Sequence, residues 1–78
     1  DYGNMLVTQA GKCAICDRSE THMRNGKVKA LAVDHDHKTG KIRALLCSDC
    51  NTGLGKFQDS EQVLLSAAEY LKKHSGNG

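Results

Sequence analysis

This sequence contains few of the large side chains from which a hydrophobic core is built. Its 78 residues include one Phe, two Tyr and no Trp. A chain of this length has room for one domain, and such a domain buries only about 60% of the surface that the unfolded chain exposes. We therefore expect a single domain over residues 1–78 that needs disulfides or a metal ion for its stability.

Long apolar runs are also missing. The short stretch around Leu45 and Leu46 is as long as any. It is well below the roughly 20 residues of a membrane-spanning helix and the roughly 7–15 residues of the apolar part of a signal peptide. The sequence therefore gives no indication of a membrane partner. In a reducing compartment, paired cysteines are metal ligands more often than disulfides.

Four cysteines form two CxxC pairs, Cys13 with Cys16 and Cys47 with Cys50. A CxxC turn places two sulfurs about 3.5–4 Å apart, which suits one side of a tetrahedral zinc ion with Zn–S bonds of about 2.3 Å. Two such turns fill all four positions, so we interpret the set as one structural zinc site. A pair of disulfides and a redox-active CxxC remain as alternatives.

The segment between the cysteine pairs has the pattern of a β-hairpin. Residues 28–33 favour a strand, residues 37–40 a turn containing glycine, and residues 41–46 a second strand. A separate tight turn is indicated at Asn25-Gly26.

Two helices are predicted after the hairpin. The first begins within the second CxxC, with Ser48 or Asp49 as its cap, and runs toward Lys56. The second covers about residues 60–74, with Asp59 and Gln62 as a capping box and an apolar stripe that packs on the core. The predicted fold is thus small α+β, with a ββα-metal core over residues 12–57, a structural zinc clamp of four cysteines and a C-terminal packing helix.

Residues suited to phosphodiester hydrolysis lie in the run Asp34-His35-Asp36-His37 and at Asn51, directly after Cys50. Histidine can take a proton from water near neutral pH, and a carboxylate with an amide oxygen suits a hard cation such as Mg²⁺. The alternative is that Asp36 and its neighbours only accept hydrogen bonds from turn amides.

A regular strand would direct the side chains of Asp34 and His35 to opposite faces. Both can reach one metal–phosphate site only if the strand ends or bulges at this point.

A longer pattern surrounds these residues. The run from Val33 to Asn51, VDHDHKTGKIRALLCSDCN, continues to Leu54 and Gly55. Together with Cys13 and Cys16, it resembles the signature of the phage recombination endonuclease VII family, which belongs to the HNH-like (ββα-metal, His-Me finger) nucleases.

The resemblance implies a metal-dependent DNA endonuclease, in the best-known member a resolvase of four-way (Holliday) junctions. It implies that His35 is the general base and that Asp34 and Asn51 bind a catalytic Mg²⁺ or Mn²⁺ ion. His37 matches a position near the scissile phosphate and receives a supporting role. The implied setting is the cytoplasm of a bacterial host or phage-infected cell.

This chain departs from the family pattern at two places. The junction-resolving member has an acidic residue in the helix after the second cysteine pair, where this chain has Gly53 and Leu54. It also has a long C-terminal dimerisation region, almost none of which fits after Leu71. We expect that region to be absent here, which leaves a homodimer open.

Basic residues are concentrated around the proposed site. Between Lys12 and Lys56, nine lysines and arginines stand against five acidic residues. Lys38, Lys41 and Arg43 flank the Asp-His run and are candidates for contacts with DNA phosphates. For each of them, an ordinary solvated charge is the alternative.

Two other functions compete with the nuclease. One is a non-catalytic zinc module that binds nucleic acid or protein, with the Asp-His run serving as a turn and Asn51 as a helix-cap residue. The other is a second, purely structural zinc ion bound by the histidines.

Overall fold

The computed structural model describes residues 1–75 of the chain. Three helices and two antiparallel two-stranded sheets occur in these residues, in the order α1 (Tyr2–Thr8), β1 (Met23–Arg24), β2 (Lys27–Val28), β3 (Ala32–His35), β4 (Ile42–Leu46), α2 (Ser48–Lys56) and α3 (Glu61–Ser75). The predicted small α+β class is confirmed. Within the same residues, no helix combines the length and apolar character needed to cross a lipid bilayer.

Strands β3 and β4 form the hairpin on which the core is built. Ala32 pairs with Leu46, Val33 with Leu45 and Asp34 with Ala44. The hairpin reverses in a turn that ends at Gly40, whose φ of +77° is a conformation that glycine adopts without steric cost. The predicted strand over 41–46 therefore agrees with β4 to within one residue.

The predicted first strand over 28–33 is wrong at its start. Val28 belongs to β2, which pairs with β1 across the Asn25-Gly26 turn, and β3 begins only at Ala32. Asn25 and Gly26 both have positive φ, +52° and +79°. This is the geometry of a two-residue hairpin turn, so the Asn-Gly pair closes a small hairpin of its own and takes Val28 into it.

The hydrophobic core is small and includes part of the cysteine set. Its buried residues are Cys13, Leu31, Leu45, Leu46 and Cys47. Helix α1 covers one side, where the Gln9 side chain accepts a hydrogen bond from the Leu45 amide and donates one to the Leu45 carbonyl, both at 3.0 Å. Helix α2 packs against β3. Two of the five core residues are therefore candidate metal ligands.

Both helix caps differ from the predicted ones. Cys47, not Ser48 or Asp49, is the N-cap of α2, and its Sγ accepts a hydrogen bond from the Cys50 amide at 3.4 Å. Helix α3 begins after Ser60, whose Oγ accepts from the amide of Val63 at 3.1 Å. Asp59 cannot cap this helix, because its φ of +56° places it in the preceding left-handed turn.

Helix α3 forms close to the predicted range, but its expected packing on the core is not what the structure has. None of its residues is buried, and Leu71 remains 63% exposed. Leu64 and Ala67 are half-buried. The β3–β4 hairpin is already covered by α1 and α2, so little core surface is left for a third helix.

Candidate zinc centre and active site

The four cysteines meet in one cluster. The Sγ atoms of Cys13, Cys16, Cys47 and Cys50 all lie within 4.8 Å of one another, and those of Cys16 and Cys47 are 3.8 Å apart. Four sulfurs around a tetrahedral zinc ion at about 2.3 Å are separated by about 3.8 Å, so the cluster fits zinc. No disulfide joins these thiols. The four cysteines thus come together as predicted, close enough to bind one metal ion.

The protonation of the cluster is consistent with a cation site. Burial alone would raise the pKa of the Cys13 thiol, but backbone amides around it, those of Cys16 and Cys47 foremost, lower that pKa to about 6. Burial and the neighbouring thiols raise the pKa of Cys50 above its ordinary value. Four thiolates this close repel one another, so their joint ionisation requires a positive ion at the centre.

Glu20 fixes the second cysteine pair in place. Its buried carboxylate, 8% exposed, accepts hydrogen bonds from the amides of Ser48 at 2.7 Å, His22 at 3.0 Å and Thr21 at 3.2 Å. The Ser48 amide lies at the free N-terminal end of α2, where an anion is favourable. Sequence analysis did not single out Glu20, because an isolated glutamate in a loop carries no spacing signal.

Replacing Glu20 with Gln is expected to destabilise the zinc-loaded protein by about 1–3 kcal/mol at pH 7, since an amide nitrogen would then face backbone N–H donors. The amides of His22, Ser48 and Thr21 hold the pKa of Glu20 below its ordinary 4.5. Its contribution is therefore complete above pH 4.5 and is lost as the pH falls through the lowered pKa. Urea unfolding of both proteins at several pH values measures this difference.

The matched control is Glu69→Gln, which removes an exposed carboxylate from α3. It should leave the midpoint of unfolding nearly unchanged at every pH. Equal stability of Glu20→Gln and the native sequence at pH 7 would show that the three hydrogen bonds contribute nothing to the fold.

An irregularity in the hairpin lies where the candidate active site begins. Asp34 pairs with Ala44, but His35 pairs with Ile42, so Arg43 is an extra residue on β4. A bulge of this kind bends the strand and redirects its side chains. The bulge lies opposite the step from Asp34 to His35, two residues whose side chains a regular strand would direct to opposite faces of the sheet. Asp34 is buried, at 7% exposed, whereas His35 is exposed.

Arg43 joins two carboxylates. Its Nε donates to Asp34 Oδ2 at 2.5 Å, while Nη1 and Nη2 donate to the two carboxylate oxygens of Asp59 at 3.1 and 3.0 Å. These bonds, the one to Asp34 first, raise the pKa of Arg43, and the Arg43 guanidinium lowers the pKa of Asp59. Arg43 was predicted to contact DNA phosphate, and a phosphate would compete with Asp59 for the same donors.

Asp36 stabilises the turn between β3 and β4. Its Oδ1 accepts from the amides of Lys38 at 2.8 Å and Thr39 at 3.0 Å, and these bonds lower the pKa of Asp36. The turn interpretation thus holds for this one member of the run. His37, Lys38 and Lys41 are exposed.

A cleft of about 540 Å³ opens beside this turn. Its lining includes side chains of both signs: Asp36, His37, Lys38, Arg43, Asp59 and Glu61.

Asn51 is the fourth residue of α2, and its amide donates to the Cys47 carbonyl at 2.9 Å. Its side chain is exposed, and the helix that carries it packs against β3, the strand of Asp34 and His35. Because Cys47 is the N-cap of this helix, the helix of Asn51 begins at the cysteine cluster. Among residues 1–75, the cysteines are the one group of three or more His, Cys, Asp or Glu side chains close enough to share an ion.

Comparison with known protein families gives a match over nearly the whole chain. The family model described as recombination endonuclease VII matches residues 1–73. The chain belongs to the recombination endonuclease VII family. The resemblance predicted from the run between Val33 and Asn51 is confirmed.

Two relatives of this endonuclease VII family member come from mycobacteriophages. The Gene 59 protein of Mycobacterium phage D29 is 46% identical over 74 residues, which are 94% of this chain and 42% of that protein. The Gene 59 protein of Mycobacterium phage L5 is 46% identical over 72 residues, 91% of this chain and 41% of that protein. The chain thus spans about two fifths of the length of these relatives.

Proposed function

We propose that this chain is the catalytic domain of a divalent-metal-dependent DNA endonuclease, with β3, β4 and α2 as its ββα-metal core. The observation that carries the proposal is the position of Asp34. It lies buried at the bulge of a hairpin that leads through Cys47 directly into the helix of Asn51. Membership of an endonuclease family supports DNA as the substrate.

The donor set suits a hard cation such as Mg²⁺ or Mn²⁺. One carboxylate oxygen of Asp34 is bonded to Arg43, and the other accepts no hydrogen bond from residues 1–75. With the exposed amide oxygen of Asn51, it offers two oxygen ligands, and such ions keep several waters as well. When bound, the ion would neutralise charge on the phosphate and on the leaving 3′ oxygen.

His35 would act as the general base that takes a proton from the attacking water. It is exposed at the end of β3, so solvent and substrate have access to its ring. His37 would support the site from the turn, near the scissile phosphate. Lys38 and Lys41, both exposed, would contact neighbouring phosphates, with Arg43 as the third candidate.

The description of the family as recombination endonucleases supports branched DNA as the preferred substrate. The phage origin of the two relatives supports action in the cytoplasm of an infected bacterium. A non-catalytic zinc module is the second candidate, and the turn role of Asp36 favours it. That function gives the buried Asp34 at the bulge only a structural role, its ion pair with Arg43.

Zinc-loaded protein is expected to nick supercoiled plasmid and to cut a branched oligonucleotide when Mg²⁺ or Mn²⁺ is added, and to cut neither without them. Asn51→Ala should need a higher divalent-ion concentration for half-maximal cutting, because one oxygen ligand is lost. Gel assays over a range of ion concentrations measure both effects.

Thr52→Ala, the exposed neighbouring position, is the matched control and should cut like the native sequence. If the folded native chain cuts neither DNA with either ion, the nuclease function fails for this domain, and measurement of its DNA binding would then test the zinc-module alternative.

A further inference from the structure

Asp59 is connected to Asp34, the candidate metal ligand, through hydrogen bonds that both carboxylates accept from Arg43. It lies in the turn between α2 and α3, 25 positions after Asp34 in the sequence. Both of its carboxylate oxygens accept from Arg43, and the Nε of the same guanidinium donates to Asp34. Arg43 is the residue that the bulge inserts into β4. The bulge therefore places one guanidinium between two carboxylates.

The turn that carries Asp59 has a left-handed backbone at two successive residues. Gln58 and Asp59 have φ values of +58° and +56°, both in the left-handed region that costs non-glycine residues free energy. The Asp59 amide donates to the Leu54 carbonyl at 2.7 Å, which fixes the turn to the end of α2. Such conformations persist where the surrounding structure holds them and are concentrated at functional sites.

We propose that Asp59 is a positioning residue for divalent-cation binding at Asp34, because its two bonds to Nη1 and Nη2 hold the Arg43 guanidinium in the orientation in which only Nε bonds to Asp34. The inference rests on the proposed role of Asp34 as a ligand of the catalytic ion. It assigns a function to an acidic residue that lies outside the helix of Asn51 and outside the Asp-His run.

The physical reason is competition for one carboxylate. An arginine forms its strongest contact with a carboxylate through two parallel N–H bonds. With Asp59 present, Nη1 and Nη2 each donate one hydrogen bond to it, which fixes the plane of the guanidinium, and Asp34, bonded to Nε alone, keeps an oxygen for the ion. Without it, Arg43 is free to bind Asp34 with two bonds, and a cation must then displace the guanidinium. Loss of the Asp59 charge acts in the same direction.

The test is the binding of Mn²⁺ to zinc-loaded protein, followed by paramagnetic resonance of the free ion in the absence of DNA. Asp59→Asn keeps the size of the side chain and tolerates a positive φ, so the turn is preserved. We expect its Mn²⁺ dissociation constant to rise about two- to tenfold, within the range of coupling between contacting residues. The Mn²⁺ concentration for half-maximal DNA cutting should rise by the same factor, with little change in the rate at saturation.

Two comparisons separate positioning from a general charge effect. Glu61→Gln removes the same charge from the same cleft, and Glu61 forms no bond to Arg43 within the described residues. It should change Mn²⁺ affinity by much less. In an Arg43→Gln background, where the competing guanidinium is gone, Asp59→Asn should have no more than the small charge effect of Glu61→Gln on affinity.

Unchanged Mn²⁺ affinity in Asp59→Asn, an equal effect of Glu61→Gln, or a full effect in the Arg43→Gln background would each overturn the proposal. Absence of saturable Mn²⁺ binding to the native chain would overturn it as well. If Mn²⁺ binds with the expected pattern but no DNA is cut, the positioning role stands and the proposed nuclease function fails.

Discussion

Removal of the metal ion is expected to unfold this domain. Among residues 1–75, two of the five buried core residues, Cys13 and Cys47, are also candidate zinc ligands, so the core and the candidate metal site share side chains. Structural zinc in small domains contributes about 10–16 kcal/mol at neutral pH. A core of this size supplies about 3–5 kcal/mol. Without zinc, nothing would offset the repulsion between closely spaced thiolates, and the remaining leucines could not hold the chain together.

The measurement is circular dichroism of the zinc-loaded protein during titration with a chelator, together with colorimetric determination of released zinc. Loss of structure should coincide with release of one ion per chain. Cys47→Ser should be unfolded at every zinc concentration that folds the native sequence, because serine can still cap α2 but does not replace the thiolate as a zinc ligand.

A reductant without chelator is the control, since it breaks disulfides and leaves zinc thiolates intact. The domain should stay folded in it. Unfolding by the reductant alone, or a native spectrum after complete removal of zinc, would contradict a structural zinc site.

The parts of the fold that follow from local sequence were predictable. Two CxxC pairs predicted the cysteine cluster, and the glycine turn with its flanking apolar residues predicted β4. The helix that carries Asn51 was predicted because its start lies within the second CxxC pair of the sequence. Each of these depends on residues close together in the chain, where spacing alone limits the geometry.

The remaining features depend on contacts between distant segments. Glu20 reaches the amide of Ser48, and Arg43 reaches Asp59; neither pair has a characteristic spacing. The hairpin around Asn25-Gly26 was indicated only as a turn, because its strands are two residues long and carry no alternating pattern.

Helix α3 illustrates a different limit. Its apolar stripe predicted packing on the core, but a helical stripe reveals only that one face is apolar and not which surface covers it. A shared site for Asp34 and His35 was predicted to need a strand that ends or bulges there, but the place of the bulge, at Arg43, was not predicted. Its position depends on the pairing register of two strands, which the sequence does not specify residue by residue.

Replacement of His35 by Ala is expected to lower the rate of DNA cutting at saturating Mg²⁺ by about 10²–10⁴-fold, the usual contribution of a general base. His35 is exposed at the end of β3 and is no part of the core, so the variant should fold and bind zinc like the native sequence. Single-turnover cutting of a branched oligonucleotide, with zinc content and DNA affinity measured in parallel, separates the chemical step from folding and binding.

His74→Ala is the matched control, because it removes an exposed histidine from the last turn of α3, where its ring lies beside that of Tyr70. It should cut at the native rate. Added imidazole should restore part of the activity of His35→Ala, since a small base can enter the space that the exposed side chain leaves, and should not accelerate the native protein. A folded, zinc-loaded His35→Ala that cuts within about tenfold of the native rate would exclude His35 as the base. Among the side chains of the Asp-His run, His37 would then be the remaining histidine to test, by the same pair of measurements on His37→Ala.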